Sequence, residues 1–259
     1  MNSIEDKLKA FERLLTIMDE LRAQCPWDKK QTMGSLRHLT VEEVYELTDA
    51  ILDNDRMEIK RELGDILLHI VFYAKIASET NEFDIADVIN TVCDKLIHRH
   101  PHIYSDTIVK DDKEVSRNWE KLKLKEGKTS VLEGVPVSLP AVIKSMRIQE
   151  KARAAGFDWE HKDQVWEKVE EEMGELKKEM EESDKEKVEG EFGDLLFSLI
   201  NYARFIDINP EDALERTNKK FIRRFQYLEK AALENKQKLT EMTLSEMDVY
   251  WNEAKAKGL

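Results

Sequence analysis

The sequence writes one acidic pattern twice. Glu-Glu-x-x-Glu, fifteen intervening residues and Glu-x-Gly-Asp place Glu42, Glu43, Glu46, Glu62 and Asp65 in the first copy. The same spacing places Glu171, Glu172, Glu175, Glu191 and Asp194 in the second, each displaced by 129 positions. Further echoes follow at other offsets. Lys95-Leu-Ile-His-Arg99 answers Lys220-Phe-Ile-Arg-Arg224, and a Trp-x-x-x-Lys ends each half, as Trp119 with Lys123 and Trp251 with Lys255. Repetition on this scale reads as duplication of a folding unit of roughly 120–130 residues, so the chain is expected to hold two small cores.

Each unit reads as helical. Only five prolines and nine glycines interrupt 259 residues, and Glu, Lys, Leu and Ala recur at three-and-four spacing, with no convincing alternating strand. Helices are expected at about 3–24, 35–53, 55–79, 84–99 and 112–126, then at 139–154, 161–183, 185–206, 210–235 and 243–256. Glycine, serine and two prolines break the period near 127–140. The expected organisation is all-α, a tandem repeat of two helical bundles: residues 1–126, a linker and connecting helix at 127–155, and residues 156–259.

In a chain with 54 acidic residues, a glutamate cluster is usually a solvated helix face. Position argues otherwise here. Glu43 shares a stripe with Leu36, Leu39, Leu47 and Ala50, and Glu172 shares one with Val165, Val169 and Leu176. Asp65 heads Leu68, Phe72 and Ile76, and Asp194 lies in line with Phe197. These acids are expected to face the bundle interior. There, unpaired carboxylates would cost several kcal/mol each unless a cation held them together. Breaks at Asp53-Asn54-Asp55-Arg56 and Ser183-Asp184-Lys185-Glu186 allow antiparallel hairpins that converge four carboxylates per copy. No histidine stands three residues after a cluster glutamate, as di-iron bundles require. Oxygen-only ligands favour Mg²⁺ or Mn²⁺, and Mg²⁺ commonly completes its shell with water and substrate phosphates. Gly64 and Gly193, each between two cluster acids, are expected to mark a close backbone or ligand approach.

A net charge of −13 argues against broad contact with nucleic acids or anionic membranes. The two cysteines, Cys25 and Cys93, form no CxxC, no secretory leader is visible, and no apolar run is long enough to span a membrane. A cytoplasmic location is expected.

The paired acidic clusters, Cys25-Pro-Trp-Asp28 with Gln31-Thr32 and Ser35-Leu36, residues 95–104 (KLIHRHPHIY) and the AxxxGFDW stretch at 152–159 together resemble the MazG family of all-α NTP pyrophosphatases. The resemblance covers nearly the whole chain. It implies Mg²⁺-dependent hydrolysis of NTPs and dNTPs to monophosphate and pyrophosphate, broad base specificity, a homodimer, and a part in cleaning the nucleotide pool or in stress. It also implies metal ligation by Glu172, Glu175, Glu191 and Asp194, and in the other copy by Glu43, Glu46, Glu62 and Asp65. Glu171, with Glu42 as its counterpart, becomes a candidate for supporting the metal ligands or for orienting water. Asn218, Lys220, Arg224, Trp251 and Lys255 resemble the family's phosphate and base contacts, with Lys95, Arg99, Trp119 and Lys123 as the other copy's equivalents. Without the resemblance, the Lys219–Lys220 and Arg223–Arg224 pairs read as an ordinary solvated face, and Trp251 as a terminal aromatic packed under Lys255. Trp27 is expected to anchor a core or an interface. The second copy is favoured as the catalytic one, because NKKFIRRFQYLE lacks the proline found at Pro101. The competing reading is a regulatory module that holds nucleotide or metal with one or both repeats inactive.

Overall fold

The computed structural model describes residues 1–105, 109–111, 114–115, 118–119, 130–182 and 184–259. Among these there is no strand, and the chain is an all-α tandem repeat. The helices are α1 (Ile4–Gln24), α2 (Met33–Leu52), α3 (Arg56–Ser78), α4 (Ile85–Arg99), the short α5 (Pro101–Tyr104), α6 (Ala141–Ala154), α7 (Lys162–Glu182), α8 (Lys185–Phe205), α9 (Pro210–Glu234) and α10 (Leu244–Ala256). The helix expected at 112–126 falls largely outside the described residues. The chain divides into two compact units, Met1–Val109 and Lys110–Leu259.

Local chemistry fixes the helix starts. Ser3 with Asp6, Thr32 with Ser35, Asp84 with Asp87 and Thr243 with Glu246 form reciprocal capping boxes on α1, α2, α4 and α10. Asp55, Asp184 and Asn209 cap α3, α8 and α9, and Pro210 opens α9 where a missing N–H costs nothing. Asn54 takes φ 57° to reverse the chain between α2 and α3. Gly156, at φ 95°, ends α6 by letting Phe157 N–H return to the Ala152 carbonyl at 3.0 Å.

In the first unit α3 packs antiparallel on α2 and against α1 and α4. Met18, Leu36, Val71 and Phe72 form its buried centre, with Leu14, Leu39, Leu68 and Ile76 around them. The second unit repeats the hairpin as α7 on α8, with Val165 and Val169 buried, and adds α6 against α8 and α10 against α9. The buried Gln149 of α6 donates to the Phe197 carbonyl at 2.8 Å, and the buried Lys151 donates to the Val131 carbonyl at 2.9 Å. Asp158 of the GFDW stretch accepts from Arg204 at 2.9 Å, clamping the segment after α6 to the end of α8.

Two sequence expectations are narrowed here. Trp27 is 54% exposed, which removes the core alternative and leaves an interface as its expected role. Among the described residues a Cβ placed on Gly64 or Gly193 would meet nothing within 4 Å, which removes the backbone alternative and leaves a ligand as the expected close approach. Both are exposed on their helices.

Candidate metal centre

Each hairpin brings three carboxylates together from two helices. Glu43 and Glu46 of α2 meet Glu62 of α3, and Glu172 and Glu175 of α7 meet Glu191 of α8; within each set the carboxylate oxygens lie within 4.8 Å of one another. The i, i+3 spacing puts two acids on one face of the first helix, and the antiparallel turn brings the third opposite them.

Burial is uneven. Glu62 is 4% exposed and Glu172 is 7% exposed, Glu43 and Glu191 are half-buried, and Glu46 and Glu175 are exposed. Asp65 is half-buried and Asp194 is exposed, and neither belongs to the convergent three. The expectation that Asp194 faces inward in line with Phe197 is therefore corrected, since Phe197 is itself 40% exposed. The edge of α8 turned inward carries Glu191, Leu195, Ser198 and Tyr202, and Asp194 lies off that line. Asp194 still acts through space, as one of the charges bearing on Glu191.

Burial pushes the Glu62 carboxyl up to about 7, aided by a hydrogen bond with Glu58 and by the charges of Glu46, Glu58 and Glu43. Glu191 is raised in the same direction, first by burial and then by Glu175, Glu172, Asp194 and Glu179. Glu62 Oε2 is buried without a hydrogen-bond partner among the described residues. Such an orphaned oxygen, in a set made only of carboxylates, fits a hard divalent cation.

The surroundings of the two clusters differ in ways the duplicated motif does not reveal. Lys168 Nζ lies 2.8 Å from Glu172 and 2.9 Å from Glu171, and these bonds, Glu172 first, hold it well above the usual lysine range. Lys187 Nζ lies 3.6 Å from Glu179. At the same 129-residue offset the first copy has Leu39 in place of Lys168, Glu58 in place of Lys187 and Ala50 in place of Glu179. The Lys168–Glu172 spacing of i, i+4 is a pairing signal the sequence does contain. The Thr40 and Tyr73 hydroxyls, 2.7 Å apart across α2 and α3, have no equivalent, because Val169 takes the place of Thr40.

Of the residues expected to bind substrate, Arg224 and Trp251 are brought together. The guanidinium lies 5.8 Å from the Trp251 ring centroid, its Nε donates to the Leu259 carbonyl at 2.7 Å, and Phe221 packs on the same ring at 5.1 Å. Lys220, Lys255 and Asn218 are exposed, with Asn218 donating to Glu215 at 3.1 Å. Lys95 is exposed and Arg99 half-buried on α4. Trp119 lies on a segment grouped with the second unit, and Lys123 lies outside the described residues. His100, in the HRHPH stretch, caps the end of α4 through an Nδ1 contact to the Leu96 carbonyl at 2.7 Å.

The MazG nucleotide pyrophosphohydrolase domain matches the chain at residues 31–104 and again at 161–228, each match enclosing one acidic cluster. The nucleoside triphosphate pyrophosphohydrolase/pyrophosphatase MazG of Thermotoga maritima is 42% identical over 95% of both chains. The nucleoside triphosphate pyrophosphohydrolase of Escherichia coli strain K12 is 38% identical over 97% of this chain and 99% of its own. An uncharacterized protein of Bacillus subtilis, YabN, is 46% identical over 97% of this chain, which spans 53% of its length. Both halves of the chain, and the whole of it end to end, thus carry the relationship, and the chain belongs to the MazG nucleotide pyrophosphohydrolase family.

Proposed function

We propose that this chain, a nucleoside triphosphate pyrophosphohydrolase by family, hydrolyses NTPs and dNTPs to the monophosphate and pyrophosphate with Mg²⁺ held by its acidic clusters. The carrying observation is the convergence of three carboxylates within 4.8 Å, repeated in both halves, with a buried oxygen of Glu62 left unpartnered. Bound Mg²⁺ neutralises triphosphate charge and acidifies a water at such a site, and Mn²⁺ has the same oxygen preference. Glu172, Glu175 and Glu191 hold the cation in the second copy, with Asp194 at its exposed mouth, and Glu43, Glu46, Glu62 and Asp65 are the equivalents in the first. Glu171, on the solvent side of Glu172, orients the attacking water toward the α-phosphorus, and pyrophosphate leaves.

Lys220, Arg224 and Lys255 balance charge on the departing oxygens, and Asn218 lies two residues before Lys220 on α9. Trp251, in tilted contact with Phe221 and close to Arg224, offers a face to any base, which favours broad specificity. Lys95, Arg99, Trp119 and Lys123 take the corresponding roles for the first copy.

The active form is a homodimer. Leu63, Leu67 and Ile70 on α3, and separately Phe192, Leu196 and Leu199 on α8, are 40–53% exposed, so each unit presents apolar side chains that a second copy would cover. Among the described residues no helix is long and apolar enough to cross a membrane, and the working location is the cytoplasm, in nucleotide-pool cleaning or stress.

Identification of the products tests the reading. Monophosphate with pyrophosphate supports it, and diphosphate with orthophosphate would sink it. Asp65→Asn and Asp194→Asn, assayed for Mg²⁺-dependent pyrophosphate release, report which copy turns over, with loss expected in Asp194→Asn. Full activity in the double variant would refute the site and leave a nucleotide-holding module as the better account.

A further inference from the structure

The duplicated clusters carry the same three glutamates, but only the second has ammonium groups beside its acids among the described ion pairs. In the first, Glu62 is 4% exposed with a partnerless Oε2, and its described neighbours are more acids: Glu43, Glu46 and, through a hydrogen bond, Glu58. Arg61 pairs with Glu58 at 2.6 Å from the solvent side, with its side chain 65% exposed. In the second, Lys168 places an ammonium 2.8 Å from the buried Glu172 and 2.9 Å from Glu171. Lys187 adds a second cation 3.6 Å from Glu179. The position of Lys168 cannot hold a lysine in the first copy without cost, because Leu39 there packs against the core formed by Met18, Leu36, Val71 and Phe72.

We infer that the two clusters have diverged from one inherited role. The first is a standing divalent-cation site that holds the α2–α3 hairpin closed, and the second is an exchange site whose resting counter-charge is the Lys168 ammonium. The inference rests on the reading of both clusters as cation sites. Among the described residues, a cation entering the first cluster meets the charges of Glu43, Glu46, Glu58 and Glu62 and satisfies a buried Glu62 oxygen that has no hydrogen-bond partner. A cation entering the second must draw Glu172 away from Lys168 and tolerate an ammonium a few ångströms off. At surface-like effective dielectric this repulsion is worth at least about tenfold in affinity, after allowance for the 35% exposure of the Lys168 side chain. The second cluster therefore fills weakly in the free protein and releases its ion readily, while the first stays occupied through the same cycle.

Calorimetric titration of the full chain with Mn²⁺ alone tests this, one cluster at a time. Glu172→Gln leaves the first cluster intact and Glu62→Gln leaves the second. The Glu172→Gln chain is expected to bind Mn²⁺ at least about tenfold more tightly than the Glu62→Gln chain. Adding Lys168→Met to the Glu62→Gln chain should recover most of that difference, whereas adding Lys168→Arg, which keeps the charge, should leave binding weak. Helical circular dichroism on each variant verifies that it has folded, and Lys168→Gln replaces Lys168→Met if that chain is unfolded. Equal affinities in the two single variants, or the same gain from arginine as from methionine, would overturn the division of labour while leaving both cation sites standing. Absence of saturable binding in every chain would overturn the cation reading itself, and this inference with it.

Discussion

Arg22 at the end of α1 grips Glu79 at the end of α3 with two parallel bonds, Nε to Oε1 at 2.8 Å and Nη2 to Oε2 at 2.9 Å. Its remaining nitrogen donates to the Asp28 carbonyl and, at 3.1 Å, to that of Gln31, so one guanidinium ties the CPWD loop to the α1–α3 corner while lying 5.8 Å from the Phe72 ring centroid. Breaking a fully buried pair costs about 3–5 kcal/mol, and the 38% exposure of Glu79 screens this one, so Arg22→Ala should cost about 2 kcal/mol in urea unfolding. Arg22 also holds Glu79 below the usual carboxylate range. A depressed carboxyl stabilises the fold above its unfolded value and loses that contribution as pH falls through the folded one. Glu79→Gln should therefore flatten the acid limb of the stability profile.

The first acidic cluster sets a pH dependence of opposite sign. Glu62 is raised to about 7, first by burial. In metal-free protein the folded state keeps its proton where the unfolded chain has already lost it. Stability should fall as pH rises from about 4.5 to about 7, then level. Glu62→Gln should remove this slope, and saturating Mg²⁺ should suppress it by taking the proton's place. A thermal-melt series across that window, with and without chelator, reads both effects. A profile that rises through the window would refute the assignment.

Gly64 and Gly193 should tolerate a methyl group. With open space where a Cβ would stand on each and a helical backbone, Gly193→Ala is expected to raise stability by about 1 kcal/mol through helix propensity alone. Chemical denaturation measures it. Sedimentation of the same variant then tests the homodimer, because loss of mass would place a second copy against this glycine.

The duplicated hairpins should answer differently to loss of a tyrosine hydroxyl. Tyr73 and Thr40 share a 2.7 Å hydrogen bond, and Thr40 Oγ1 also donates to the Leu36 carbonyl at 3.1 Å. Tyr73→Phe should cost about 1 kcal/mol. Tyr202→Phe should be close to neutral, because Val169 stands where Thr40 does and the ring is held by Trp166 at a centroid distance of 4.8 Å. Comparing the two single variants by denaturation tests the contrast.

The sequence by itself determined the repeat, the helical class, and most helix limits to within two residues, because caps, turn residues and three-and-four periodicity are local and act before any tertiary contact forms. Of the four carboxylates it expected to converge in each copy, the three glutamates do, since their spacing on adjacent antiparallel helices leaves little freedom, while Asp65 and Asp194 stand outside the sets. Tertiary structure alone decided how deeply each acid sits. Periodicity placed Glu43, Asp65, Glu172 and Asp194 on inner stripes, yet the deepest burial falls to Glu62 and Glu172, and Asp194 is exposed. A stripe fixes the direction of a side chain, but its environment depends on what the facing helix supplies at that height. The same limit hid the two clusters' unlike surroundings. Lys168 with Glu172 and Glu58 with Glu62 are neighbours within one helix, but the acids they bear on converge, and Leu39 finds its core partners, only when the hairpins close.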